Sequence, residues 1–155
     1  MTEELFRELL KRPENETLDF KLEMYAFEAD GRVSLLKDVI SLANTPRSAS
    51  AYLVFGVDWK PGSPALPKGM SAQIDDVRLR DQLSGDQISP VPPAISYHPL
   101  LIGGQHFGVI EVPPEPNVGP FYATKDSSGN KLLKDVLYVR SGSGNVRANL
   151  EQQRK

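Results

Sequence analysis

The chain has 155 residues, 39% of them apolar and 25% charged, with a formal net charge of −2, which favours one soluble domain large enough for a real hydrophobic core. It contains no cysteine, which excludes disulfides, thiol catalysis and Cys-based zinc sites and fits a cytoplasmic setting. The N-terminus MTEELFRELLKR lacks the basic-then-apolar layout of a signal peptide, and no apolar run approaches the length of a membrane span.

Residues 2–11 are expected to form a helix. Thr2 suits the N-cap, Glu3 and Glu4 suit the positive end of the dipole, and Leu5, Phe6, Leu9 and Leu10 make an apolar stripe that Pro13 ends. TLDFKL (17–22) then alternates, with Leu18, Phe20 and Leu22 facing one way and Thr17, Asp19 and Lys21 the other, the period of a half-buried strand. A second helix is expected from Arg32 to Ala43, with Asn44 as its C-cap. AYLVFGV (51–57) reads as a strand covered on both faces, with Asp58 at its carboxyl end.

After the Pro/Gly-rich loop 59–70 comes a polar helix near Ile74 to Leu83, and then a β-rich half. AISYHPLLI and QHFGVIEV flank Gly103-Gly104, a strong hairpin signal. PPEPNVGP is a rigid connection, and FYAT (121–124) and VLYVR (136–140) read as two short strands around the turn SSGN. The pattern predicts an α/β (α+β) fold in which a mixed or antiparallel sheet packs with helices. Neither a repeat nor a linker interrupts it, so one domain over 1–155 is expected.

The segment ENETLDFK (14–21) crowds Glu14, Glu16, Asp19 and Lys21 ahead of and along a strand, and Asp58 emerges from a strand able to pair beside it. Ligands in α/β sheets sit beyond the carboxyl ends of strands. Carboxylates converging there would hold Mg²⁺ or Mn²⁺ through hard oxygens, and a lysine beside them could neutralise developing phosphate charge. On spacing alone a solvated charge run is the favoured reading, because acids ahead of a strand are mostly solvated. The last quarter carries seven Lys/Arg against three acids from Asn117 onward, +4 against −6 before it. A basic segment beside an acidic remainder can hold phosphates, so Lys125, Arg140 and Arg147 are the expected nucleic-acid contacts. RSGSGNVR (140–147) could present backbone N–H groups to a phosphate, or serve as a loop leading to a C-terminal helix begun by EQQRK. His98 and His106, one on each hairpin arm, read as ordinary strand residues, and Trp59 either stacks on a base or caps the core edge.

Taken in order, these pieces resemble the Schlafen/AlbA-type domain. Its pattern runs acidic-x(4)-acidic-Phe-Lys, a helix ending in Ala-Asn-Thr, an apolar strand ending in Gly-Val-Asp, a strand pair, a Pro-rich turn with Tyr, and Tyr-Val-Arg-x-Gly-Ser. Here it reads E14-NETL-D19-F-K, LANT (42–45), FGVD (55–58), the Gly103 hairpin, GPFYATKD (119–126) and YVRSGSGN (138–145). Asp19 stands where Glu is usual, and PRSASA (46–51) replaces the common Gly-Gly.

The resemblance implies a Schlafen-like core lobe directed at nucleic acid. In the nuclease branch it implies a Mn- or Mg-dependent endoribonuclease acting on structured, tRNA-like RNA, in phage defence or a stress response. There Glu14, Asp19 and Asp58 would be the metal ligands, catalytic together with Lys21. The alternative is a non-catalytic DNA/RNA-binding or oligomerising module of a larger effector. RNA is favoured over DNA, and fusion to a C-terminal effector domain fits the helical start at EQQRK. A homodimer is expected, because a twofold pair of single lobes would restore the cleft that two lobes form in the animal Schlafens.

Overall fold

A computed structural model describes residues 1–83, 87–142 and 144–148. Helix α1 (Glu3–Leu10) forms as its sequence dictates: Thr2 Oγ1 accepts the Leu5 N–H at 3.1 Å, and Phe6 and Leu9 are buried. Helix α2 (Ala29–Asn44) begins three residues before the expected Arg32 and is capped by Thr45 rather than Asn44. The early start rests on Gly31, where a Cβ would lie 1.8 Å from the Ala26 carbonyl oxygen. A residue that lowers helix propensity is here required for close packing. Helix α3 (Asp76–Leu83) follows the loop, as expected.

The main sheet is mixed, in the order β1 (Leu18–Lys21), β2 (Ala51–Phe55), β7 (Gln105–Val112), β6 (Ser96–Ile102). β1 runs parallel to β2 with Asp19 opposite Leu53 and Lys21 opposite Phe55, while β2–β7 and β7–β6 are antiparallel. The β6–β7 hairpin turns at Gly103 and Gly104, both at positive φ. Helix α1 covers one face, Phe6 and Leu9 packing with Leu18, Phe20, Val54, Phe107 and Val109. Helix α2 covers the other, with Leu35, Leu36, Val39 and Ile40 against Leu53, Phe55, Ile110 and Val112. Leu22, expected to continue the inward face of β1, lies beyond the strand and is exposed.

The run 51–57 is broken rather than continuous. Gly56 adopts φ +96° and donates its N–H to the Lys21 carbonyl at 2.8 Å. The break reverses the alternation, so Phe55 packs toward α2 while Val57 joins the α1 cluster. Val57 and Asp58 form β3, which pairs with β4 (Leu66–Pro67). FYAT and VLYVR do not pair with each other. β8 (Tyr122–Ala123) pairs with β5 (Ile88–Ser89), and β9 (Tyr138–Ser141) pairs with β10 (Gly144–Arg147). RSGSGNVR therefore contributes to an antiparallel ribbon, and the helix expected at EQQRK lies outside the described residues. Among the described residues, no helix is long and apolar enough to cross a membrane.

Candidate functional site

Strand alternation turns Asp19 and Lys21 toward α2, away from the α1 face that takes Leu18 and Phe20. There they meet Asp38, which α2 holds among Leu35, Leu36, Val39 and Ile40. Lys21 Nζ sits 3.3 Å from Asp19 Oδ2 and 3.3 Å from Asp38 Oδ2, bridging strand and helix. The Tyr25 hydroxyl donates to Asp38 Oδ2 and the Asn145 amide donates to Asp38 Oδ1. Arg140, from β9, enters from the other side, its Nη2 3.3 Å from Asp19 Oδ1. That contact is an ion pair without hydrogen-bond alignment. Arg140 also donates from Nε to the Asn15 carbonyl and from Nη1 to Asn145 Oδ1, each at 3.4 Å. Exposures of 7% for Asp19, 8% for Asp38 and 4% for Arg140 make this a buried ionic cluster.

Glu14 completes it. Its Oε2 accepts the Phe20 N–H at 2.9 Å. Burial first, and then the hydrogen bond to Asp19, push its pKa up to about 7. Burial would raise Asp19 as well, but the hydrogen bond from Glu14 and the charges of Lys21 and Arg140 hold it below its ordinary value. Burial works against a charged Lys21, yet Asp38 and Asp19 keep its pKa raised. Tyr25, pushed well up by burial and by Asp38, remains a donor. Two carboxylates, Asp19 and Asp38, thus face two cations, Lys21 and Arg140, with the raised Glu14 carboxyl beside them.

The structure thus brings together Glu14, Asp19 and Lys21 and adds Arg140, which points inward instead of outward. Asp58 stands on β3, half-exposed, on the side of its strand opposite Val57. Among the described residues it makes no hydrogen bond or ion pair with Glu14, Asp19 or Lys21, and no three His, Asp or Glu side chains gather as a metal site. Both Asp19 oxygens face cations and Glu14 takes a proton below about pH 7, so this arrangement does not fit a divalent cation. Lys125 is exposed just past β8. His98 lies in β6 with Nε2 3.0 Å from Glu111, and Trp59 caps the core edge beside Phe20.

Three partners were not read from the sequence: Asp38, Tyr25 and Asn145. An aspartate within the apolar stripe of α2 was the available signal for the first. The Asn44–Thr45 pair is a second such feature. Asn44 donates to the Phe121 and Tyr138 carbonyls at 2.9 and 3.0 Å and accepts the Phe121 N–H at 2.7 Å. Thr45 Oγ1 donates to the Ser41 carbonyl at 2.7 Å and accepts the Arg140 N–H at 2.9 Å. The end of α2 is thereby fastened to β9 and to the Pro-rich turn.

On the outer side of α2 lies a cleft of about 380 Å³ between the helix, the turn at Asn130–Lys131 and the β9–β10 ribbon. Lys37, Lys131 and Arg147 line it, and none of its lining residues is acidic. Lys37 is held in place: its amine donates to the Lys131 carbonyl at 3.0 Å and lies 4.9 Å from the centre of the Tyr138 ring. A larger cavity, about 730 Å³, lies where the Pro-rich turn meets the end of α2.

Comparison with known proteins bears on the fold and the family. The chain is similar to the N-terminal domain of a putative ATP-dependent DNA helicase RecG-related protein from Nitrosomonas europaea, whose solution structure gives a TM-score of 0.58 at 26% identity over 95% of this chain and 92% of that one. The crystal structure of the DIP2311 protein from Corynebacterium diphtheriae shares the fold, with a TM-score of 0.57 at 18% identity over 97% of this chain, which spans 27% of that protein. No curated protein sequence matches. The family model described as Schlafen, AlbA_2 matches residues 14–149, a span that includes the buried cluster, the Asn44–Thr45 clamp and the basic cleft. The chain belongs to the Schlafen AlbA_2 family.

Proposed function

We propose that this chain is a nucleic-acid-binding domain whose contact surface centres on the cleft beside α2. The observation that carries the reading is the gathering of Lys37, Lys131 and Arg147 around a concavity without a carboxylate, on a chain whose net charge is −2. Cations so placed attract phosphate despite the overall acidity. The similarity to a domain of a RecG-related DNA helicase protein supports the same reading. The buried ionic cluster then has a structural role, fixing the β9–β10 ribbon against β1 and α2. Arg140 positions that ribbon rather than touching phosphate.

Fluorescence anisotropy with labelled RNA and DNA of matched sequence, over a range of salt, tests the proposal. Binding should weaken steeply with salt, and Lys131→Ala or Arg147→Ala should lower the log–log slope by roughly one unit or less each. The absence of low-salt binding to either nucleic acid would rule the proposal out. The matched pair also decides whether RNA is preferred.

A second reading, Mn- or Mg-dependent cleavage of structured RNA, draws on one observation: Glu14 and Asp19 lie together at β1, next to the strand that carries Asp58. It requires Lys21 and Arg140 to release Asp19 when substrate and metal bind. If it holds, wild type cuts RNA with added Mn²⁺ while Glu14→Ala and Asp58→Ala bind but do not cut. Equal inertness of all three leaves the binding reading alone. A twofold pair would double the basic surface, and light scattering at micromolar concentration gives the mass directly.

A further inference from the structure

We propose that the cleft between α2 and the β9–β10 ribbon is a site for a phosphate monoester, the terminal phosphate of a nucleic-acid strand or that of a free nucleotide. The strand-end source rests on the nucleic-acid reading above, while the site itself rests on the geometry of the cleft.

A backbone-tracking surface spreads its cations along a groove, one near each phosphodiester. Here basic residues from three separate elements line one concavity instead. Lys37 from α2, Lys131 from the turn and Arg147 from β10 surround one concavity of about 380 Å³, within the ~300–1,000 Å³ range of small-ligand sites. An internal diester brings one negative charge and needs a way out for the strand on both sides. A monoester brings about −1.5 to −2 charges near neutral pH and three terminal oxygens, a closer match to three cations.

Two of the groups around the cleft, Lys37 and Asn145, are held in advance. Lys37 uses one of its three ammonium donors on the Lys131 carbonyl and lies over the Tyr138 ring, leaving two donors for a ligand. Asn145, on the cleft wall, is fixed by its bonds to Asp38 and Arg140. The buried ionic cluster therefore sets the position of the ribbon that carries Arg147. Ser34, exposed on α2 at the cleft, adds a hydroxyl donor. Charge-assisted bonds from groups already in place are the strong kind for a phosphate.

The test uses the intact chain and one short RNA prepared with a 5′-phosphate, with a 3′-phosphate or with hydroxyl ends, read by anisotropy, with AMP and adenosine as competitors. One phosphate-ended form should bind roughly tenfold tighter than the hydroxyl-ended one, the effect of a single additional charge-assisted contact. AMP should compete and adenosine should not. The double variant Lys131→Ala/Arg147→Ala, both at exposed positions, should lose the preference while keeping its thermal unfolding midpoint. Equal binding of all three RNAs, with AMP inert, overturns the monoester site and leaves nucleic-acid binding standing. AMP binding that is lost in the double variant, with no RNA bound, upholds the monoester site with a free nucleotide as its source and sinks the nucleic-acid reading. No binding of any probe overturns both.

Discussion

Glu14 and Asp19 are five positions apart and share a hydrogen bond, yet their pKa values move in opposite directions. Their effects on stability are opposite too. Glu14 is raised from 4.5 to about 7 in the folded chain. Its contribution is therefore fully present below its ordinary value and is lost as pH rises through about 7. Asp19 is depressed, so its contribution is present above its ordinary value and is lost as pH falls through the lower folded value. Thermal unfolding followed from pH 4.5 to pH 7, the interval bounded by the two Glu14 values, should show a downward component in wild type that Glu14→Gln removes. An identical profile in the variant would mean that burial and Asp19 do not raise the Glu14 carboxyl in the folded chain. Asp38 offers a harsher test. Removing it strands Lys21, Tyr25 and Asn145, all half-buried, so Asp38→Ala should cost about 2–3 kcal/mol, measured by urea unfolding. A loss below about 1 kcal/mol would place the cluster effectively in water.

At the scale of elements, much of the fold is legible because its signals are local. Helix α1 has its cap, dipole residues and stripe within ten positions, and β1 shows the two-residue period that puts Asp19 and Lys21 on one face. Gly103-Gly104 supplies the positive φ that the β6–β7 turn needs. The misread parts depend on what they pack against rather than on a local pattern. β5 and β8 are two residues each and pair across more than thirty positions, so no local pattern marks them. β9–β10 joins through Gly142 at positive φ, and its Gly/Ser content reads as loop because strand preference depends on what the strand packs against. The site divides in the same way. Glu14, Asp19 and Lys21 lie within one motif, whereas Asp38, Tyr25 and Asn145 meet them only once α2 and the ribbon dock. The Ala-Asn-Thr segment reads as a helix end, and the structure gives Asn44 three hydrogen bonds to two other segments. Asn44→Ala should thus destabilise by roughly 2–4 kcal/mol, several hydrogen bonds at about 1 kcal/mol each plus unpaired backbone groups. Hydrogen exchange should rise at Phe121, and unchanged protection there would deny the clamp its role.

At the scale of the whole molecule, a net charge of −2 conceals a division of labour. Acids concentrate in the first three quarters, where Asp19 and Asp38 are neutralised inside the fold by Lys21 and Arg140. Of the basic residues in the last quarter, Arg140 turns inward to hold the ribbon, while Lys131 and Arg147 line the cleft with Lys37. Counting charges along the chain locates the basic quarter but cannot separate the arginine that builds the surface from the one that forms it, since burial decides between them. Nucleic acid is proposed to meet this protein at that cleft. Chemical-shift mapping of the isotope-labelled chain, titrated with a short RNA at low salt, tests it residue by residue. The expected result is a set of shifted amides at Ser34, Lys37, Lys131 and Arg147, with little change at Leu101 and Gly103 on the distant hairpin. Shifts confined to the Pro-rich turn at Pro114–Pro120, or scattered evenly over the surface, would contradict it.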